Sequence, residues 1–362
     1  MMFFKIPFAY FLILFFVSVQ FASCQTTKEV TVGAYYFDGW TGKTMHASAR
    51  LKEDFPERKP IWGWVTSTPE VLEEQMRLAS EAGIDFFNFC WYYNPRETRS
   101  SVGNDSKNNA LKIFRDVDNR YDMNYTIMVT NHIGYKLKKK DWPLLVKRWV
   151  ELMSDDFYMQ SDLGKPLLSF FSLKSLYDTF ETTEAIKKAF SLLRSEAIKS
   201  GFNGVEISVC DAGTPEMIKK AELCGVNYIT GYNHQKFGFE YSKKRIESIE
   251  RMAAKEQKLW SLKSKLTSLK QIPTVTLNWD PRPMQKHSGA KIFSGFSAKS
   301  VKKAVLATRV WVDTHKESVS KKKLIMLYAW NEYAEGAWLT PSEVLGTTLL
   351  DGLKEGLNTP IK

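Results

Sequence analysis

The chain has 362 residues, 44% of them apolar, 25% charged and 14% aromatic, with 11 Trp. That composition supports one large core or two small ones, and so many aromatics suit either a large aromatic core or a sugar-binding groove. The net charge is +11, but its basic runs, Lys136-Leu137-Lys138-Lys139-Lys140 and Lys321-Lys322-Lys323, read as solvated faces. No nucleic-acid motif accompanies them, which excludes nucleic acid from the expected partners.

The N-terminus reads as a targeting segment. Lys5 supplies a thin positive region, and residues 6–22 are almost wholly apolar and end in Ala22-Ser23 before Cys24, as in a secretory signal peptide. Phe21-Ala22-Ser23-Cys24 is similar to a bacterial lipobox, with Phe21 where Leu is usual, so lipidation at Cys24, plain secretion and an uncleaved anchor stand as three readings. Residues 1–24 are thus expected to be a signal and 25–362 the folded part, exported to the periplasm, the cell surface or the medium. No later segment has the length and apolarity to span a bilayer. Removal of residues 1–23 takes away one Lys, leaving a net charge of about +10.

Past the signal, strand-like runs fall at 31–37, 84–93, 125–131, 166–172, 205–211, 227–232, 274–279 and 324–330. Helical patterns lie between them at 69–82, 109–117, 142–153, 183–199, 215–223, 242–269 and 298–314, and 341–357 closes the chain. Eight such alternations predict a single (β/α)8 TIM-type barrel with long loops on its C-terminal face. A doubly wound sheet would usually show a glycine-rich phosphate turn, which is lacking. Thr68-Pro69-Glu70 and Thr214-Pro215-Glu216 are helix starts. Gly83, Gly201 and Gly225 are helix stops. Residues 242–270 are long for one barrel helix, and 38–66 form a long first loop holding Trp40, His46, Trp62 and Trp64. Cys90, Cys210 and Cys224 read as buried thiols, with a Cys210–Cys224 bridge as the alternative. The expected protein is a monomer.

A barrel of this kind gathers its reacting groups at the C-terminal strand ends. Those ends offer Tyr35, Tyr36 and Asp38; Trp91, Tyr92 and Tyr93; Asn131 and His132; Asp211; Tyr232, Asn233 and His234; Trp279, Asp280 and Arg282; and Asn331, Glu332 and Glu335. Aromatics stack on sugar rings, amides and His bind hydroxyls, and carboxylates move protons. No cluster has metal-ligand density, and no cofactor is expected. Glycoside cleavage needs one group to protonate the leaving oxygen and another to supply or activate a nucleophile. A turn between Glu332 and Glu335, favoured by Ala334 and Gly336, brings both to one cavity at a spacing on the order of 5–6 Å, which suits retention of configuration. The alternative is that one of them caps a helix or pairs with a Lys. Trp330, Tyr333 and Trp338 are expected to desolvate the pair and raise its pKa.

Trp330-Asn331-Glu332-Tyr333-Ala334-Glu335-Gly336 resembles the strand-8 motif of glycoside hydrolase family 99, the endo-α-mannosidases and endo-α-mannanases. It equally resembles the related WbsX-type domains, long labelled glycosyltransferases. Gly33-Ala34-Tyr35-Tyr36, Gly83-Ile84-Asp85-Phe86-Phe87 with Trp91, and Trp279-Asp280-Pro281-Arg282-Pro283 support the likeness in outline. The resemblance implies a metal-free barrel and a retaining mechanism through a 1,2-anhydro sugar, with Glu332 the base on the 2-hydroxyl and Glu335 the acid/base. It further implies Tyr36 (or Tyr35), Tyr232 and Arg282 as sugar-positioning residues, Trp91 as a stacking platform and Asn331 as a partner of sugar or of Glu332. His132 and His234 are further candidates for substrate contact. Tyr333 and Ala334 replace the Trp and His usual in endo-mannosidases, and Thr340 replaces an acid before Pro341. The expected activity is cleavage of an α-linked polysaccharide or glycan, α-mannoside first. A WbsX-type glycosyltransferase and a non-catalytic glycan-binding barrel are the competing readings.

Overall fold

The computed structural model describes residues 29–94, 102–211, 213–285 and 289–361. The signal segment and the lipidation candidate Cys24 lie outside the described residues.

Eight parallel staves form the centre: β1 Thr31–Tyr36, β2 Phe86–Trp91, β3 Asn124–Val129, β4 Leu167–Phe170, β5 Glu206–Val209, β6 Tyr228–Ile229, β7 in two segments (Lys270–Gln271 and Thr274–Thr276), and β8 Leu324–Tyr328. Neighbours pair in chain order from β1 to β6, and β1 also pairs with β8. The two β7 segments are the edges of this sheet, yet only Ile272 and Pro273 separate them. Ile272 N donates to Ile229 O at 3.0 Å on the β6 side, and Pro273 O accepts from Met326 N at 2.8 Å on the β8 side. The proline lacks the amide that would continue one ladder, so the stave switches neighbours there and the barrel closes.

The staves are buried on both faces, as a helix-wrapped parallel sheet requires, and alternation along each strand decides which way a side chain faces. Phe87 and Phe89 of β2 pack outward on Phe114 of the helix Asn109–Asp116, and Trp91 packs on Trp149 of the helix Trp142–Met153. Asn88, Cys90 and Tyr92 therefore face inward. In β1, a Cβ on Gly33 would lie 2.3 Å from the Phe86 ring and 2.6 Å from Met326 Sδ, so only glycine admits both side chains there.

Helices complete the alternation. Thr68 caps Pro69–Ala82 and Thr214 caps Pro215–Cys224, each through its side chain, and Gly83 and Gly225 end them in the left-handed region. After β6 come a short helix, Gln235–Gly238, a short strand, Ile246–Ser248, that pairs with Ile292–Ser294, and then, within 242–270, one helix, Ile249–Leu266. Cys90, Cys210 and Cys224 are free. Cys210 Sγ lies 3.5 Å from Met128 Sδ and Cys224 Sγ 3.3 Å from Tyr177 Oη, so the alternative Cys210–Cys224 bridge does not form. No helix among the described residues is long and apolar enough to cross a membrane.

Candidate active site

Beyond β8 the chain makes a small antiparallel hairpin, Asn331–Glu332 against Ala337–Trp338. Glu335 N donates to Glu332 O at 3.1 Å and Gly336 N to Tyr333 O at 3.3 Å. Glu332 and Glu335 are therefore the first and fourth residues of a tight turn, whose Cα atoms lie within about 7 Å. Both side chains line one cavity of about 570 Å³.

The hairpin is held from outside. Asp280 N donates to Glu335 O at 2.6 Å, and Asn278 Nδ2 to Gly336 O at 2.6 Å. The Arg58 guanidinium donates to Tyr333 O at 2.9 Å and to Asp280 O at 3.1 Å, and pairs with the Asp280 carboxylate. Trp40 and Trp64 of the long first loop pack on the Tyr333 ring. Gly336 has φ +78, and a Cβ there would meet Asp280 Cβ at 2.8 Å.

Each acid carries its own phenol. Tyr232 Oη, just past β6, donates to Glu332 Oε1, and Tyr328 Oη, the last residue of β8, donates to Glu335 Oε2. Burial pushes Glu332 well above the usual carboxylate range and Glu335 repels it further, while the Tyr232 bond works against the shift. Burial pushes Glu335 up to about 7, opposed by the Tyr328 bond. Two carboxylates this close do not both ionise near neutrality, so the pair holds one proton there.

The other expected site residues are placed as follows. Tyr232, His132 and His234 line the cavity with the two acids. His132 Nδ1 contacts Ile133 O at 2.8 Å. His234 Nδ1 lies 3.0 Å from Glu256 Oε1, and burial lowers its pKa, which keeps the imidazole neutral. Tyr35 faces the barrel interior, donating to Gly231 O at 2.8 Å and packing edge-on against Tyr232. Tyr36 faces outward on Phe87 and Phe89. Trp91 stands in the helix layer, and Tyr92, one residue on, lines the cavity instead. Arg282 lies outside the lining, 48% exposed, with Nε and Nη2 each 2.7 Å from the Asp280 carboxylate. Asn331 is buried behind the site and accepts from Phe37 N at 2.8 Å. Trp330, Tyr333 and Trp338 do not line the cavity; besides Tyr232, its aromatic walls are Phe37, Tyr92, Tyr135, Phe171, Phe237 and Trp279. Of the weaker carboxylate candidates, Asp38 bonds Ser67 and Ala110 N, and Asp211 bonds the start of the helix Leu173–Phe180.

Tyr328, the partner of Glu335, and the cavity residues Lys107 and Lys263 escaped sequence reasoning. Tyr328 is hidden within an apolar strand. Lys263 is one lysine among many on a Lys-rich helix. Lys107 sits in a polar loop. Only the alternation of β8, which puts Tyr328 on the same side as Met326, offered a signal. Among the described residues no group of three His, Cys, Asp or Glu side chains has metal-site geometry.

The chain is similar to known proteins in family and in fold. A family model described as "Glycosyltransferase WbsX" matches residues 117–353. No curated protein matches. Among solved structures, a "Glycoside hydrolase-like protein" superposes with TM-score 0.67 at 16% identity, covering 91% of this chain and 94% of the other. The GH99 endo-alpha-mannosidase from Bacteroides thetaiotaomicron gives 0.62 at 13% identity over 90% and 96%. PbGH5A, a glycoside hydrolase family 5 enzyme from Prevotella bryantii B14, gives 0.53 at 11% over 91% and 96%. The fold is thus that of TIM-barrel glycoside hydrolases.

Proposed function

The chain belongs to the WbsX family, and we propose that it is a retaining glycoside hydrolase acting on an α-linked polysaccharide or glycan, α-mannoside first. The observation that carries the reading is the single turn that delivers Glu332 and Glu335, each on its own tyrosine, into one cavity with raised proton affinity.

In the proposed reaction Glu332 takes the proton of the sugar's 2-hydroxyl. O2 attacks C1 as the glycosidic bond breaks, and the leaving oxygen takes the proton of Glu335, giving a 1,2-anhydro sugar. Water then attacks C1 as the C1–O2 bond breaks. Glu335 receives the water's proton and Glu332 returns its proton to O2. Two inversions at C1 give net retention. The step needs the shared proton on Glu335. A bound sugar places it there: a donating 2-hydroxyl favours ionised Glu332, and an accepting glycosidic oxygen favours protonated Glu335.

Transfer from a sugar nucleotide is the reading that the family's description favours. Against it stand the place of the Asp-x-Asp in the sequence, Asp116-Val117-Asp118, whose acids are exposed at the end of the helix Asn109–Asp116 and do not line the cavity, and the export signal proposed for residues 1–24, since activated donors are cytoplasmic. We propose that Cys24 becomes the lipidated N-terminus; mass spectrometry of the mature N-terminal peptide tests this, and an unmodified peptide sinks it.

Incubation with α-mannans and other polysaccharides, followed by product mass and anomeric configuration, tests the activity. The expected product retains configuration. No cleavage of any glycan, or an inverted product, overturns the proposal. Glu335→Gln separates an enzyme, which loses turnover and keeps glycan binding, from a pure binder, which changes in neither.

A further inference from the structure

Three lysines line the cavity beside the two acids: Lys107, Lys236 and Lys263. Lys107 is paired with Asp105 at 2.8 Å and lies over the Tyr92 and Tyr135 rings. Lys236 is exposed at the rim.

Lys263 is different in kind. It projects from the helix Ile249–Leu266 and is only 2% exposed, yet it lines the cavity. The groups whose charge it senses are Cys210 and Asp211 after β5, Glu256 on its own helix, and His234 after β6. Both carboxylates are already engaged. Asp211 accepts from Leu173 N at 2.7 Å, Lys174 N at 3.1 Å and Ser172 Oγ at 2.9 Å. Glu256 accepts from Thr276 N at 3.0 and 3.1 Å and faces His234 Nδ1. Among the described residues no hydrogen bond or ion pair engages the Lys263 ammonium. Its stem is buried and its unbonded ammonium opens only onto the cavity, and burial pushes its pKa down to about 8. It still carries its charge at neutral pH, where the glutamate pair retains a proton. A neutral sugar would leave it unpaired; an anionic group in the same cavity would complete it.

We propose that Lys263 is an anion subsite and that the sugar bound in this cavity is acidic, carrying a carboxylate or a sulfate ester. The proposal rests on the glycan-acting reading of the cavity and names its substrate class. Lys263 is then a specificity-determining residue, and the Lys236 ammonium at the rim assists capture of an acidic chain.

Calorimetric binding of D-glucuronate, a D-glucose sulfate ester and D-glucose to the full chain at neutral pH tests it without any turnover. The expected result is that at least one acidic sugar binds about tenfold or more tightly than glucose, the gain typical of a charged hydrogen bond. Which acid wins distinguishes a uronic acid from a sulfated sugar. The preference declines as pH rises through about 8, where the free ammonium loses its proton. Lys263→Met abolishes the preference, keeps glucose binding and does not lower Tm, because it removes a partly desolvated charge that no protein group pairs. Equal or undetectable binding of acidic and neutral sugars overturns the proposal, as does a preference that survives in Lys263→Met. Should that variant not fold, the wild-type preference and its pH dependence decide alone. Cleavage of neutral glycans without acidic preference removes this inference and leaves the hydrolase. Acidic sugars bound while no glycan is cleaved do the reverse.

Discussion

Glu335 shows how burial turns an ordinary carboxylate into a candidate proton donor. Its native pKa of about 7 stands above the ordinary 4.5. Below 4.5 both native and unfolded chains are protonated, and the shift has no effect on stability. Between 4.5 and 7 the unfolded chain ionises first, so stability falls as pH rises, and above 7 the full penalty remains. Gln copies the protonated acid, so Glu335→Gln is expected to raise stability at pH 8 by roughly 1–3 kcal/mol and to leave it unchanged at pH 4; thermal unfolding at both pH values checks this. For kcat/KM in the wild type, a fall below about pH 7 is expected, where the pair becomes doubly protonated and no base remains. Tyr232→Phe removes the bond that favours ionised Glu332. It should make ionised Glu332 rarer and lower kcat/KM by about 10- to 100-fold, and a kcat/KM equal to wild type would show that Tyr232 does not tune Glu332.

At the scale of the element, the hairpin after β8 is a small structure with an outsized number of restraints. Gly336 sits at positive φ with Asp280 against the place a Cβ would occupy. Gly336→Ala is expected to cost about 1–3 kcal/mol of strain and to reduce turnover far more than folding, because any relief of the contact displaces Glu335. Activity surviving at the wild-type level in a destabilised variant would argue against that coupling. The same element shows what was readable beforehand. The two acids and the turn between them were legible, since strand, small residue and glycine follow one another locally. What holds the turn was not: Arg58, Asn278 and Asp280 come from remote loops, and Arg282, read as a sugar contact, lies on Asp280. Trp91 and Tyr36 stand in strands buried on both faces, where an unbroken apolar run hides the parity that decides inward from outward.

For the whole molecule, eight alternations announced the barrel because each stave and helix carries its own period. Its closure was not legible, since a break at Ile272-Pro273 is visible only when both neighbours are known. That break leaves the wall between β6 and β8 thinly paired, with two-residue matches to Lys270–Gln271 on one side and three-residue matches to Thr274–Thr276 on the other. Amide exchange at Ile229 and Ile272 is therefore expected to outpace exchange in β2 and β3, which share six paired positions. Equal protection around the barrel would count against a weak wall.

Tyr232 follows β6 and Glu332 follows β8, so the bond between them spans the top of that wall. It acts as a clasp across a seam as well as a proton contact. Ionisation of Glu332 tightens the clasp and protonation loosens it, so the chemical state of one carboxylate is mechanically linked to how firmly the barrel is fastened shut. A substrate that pulls the proton away from Glu332 would, by the same bond, draw the two lips of its own binding site together.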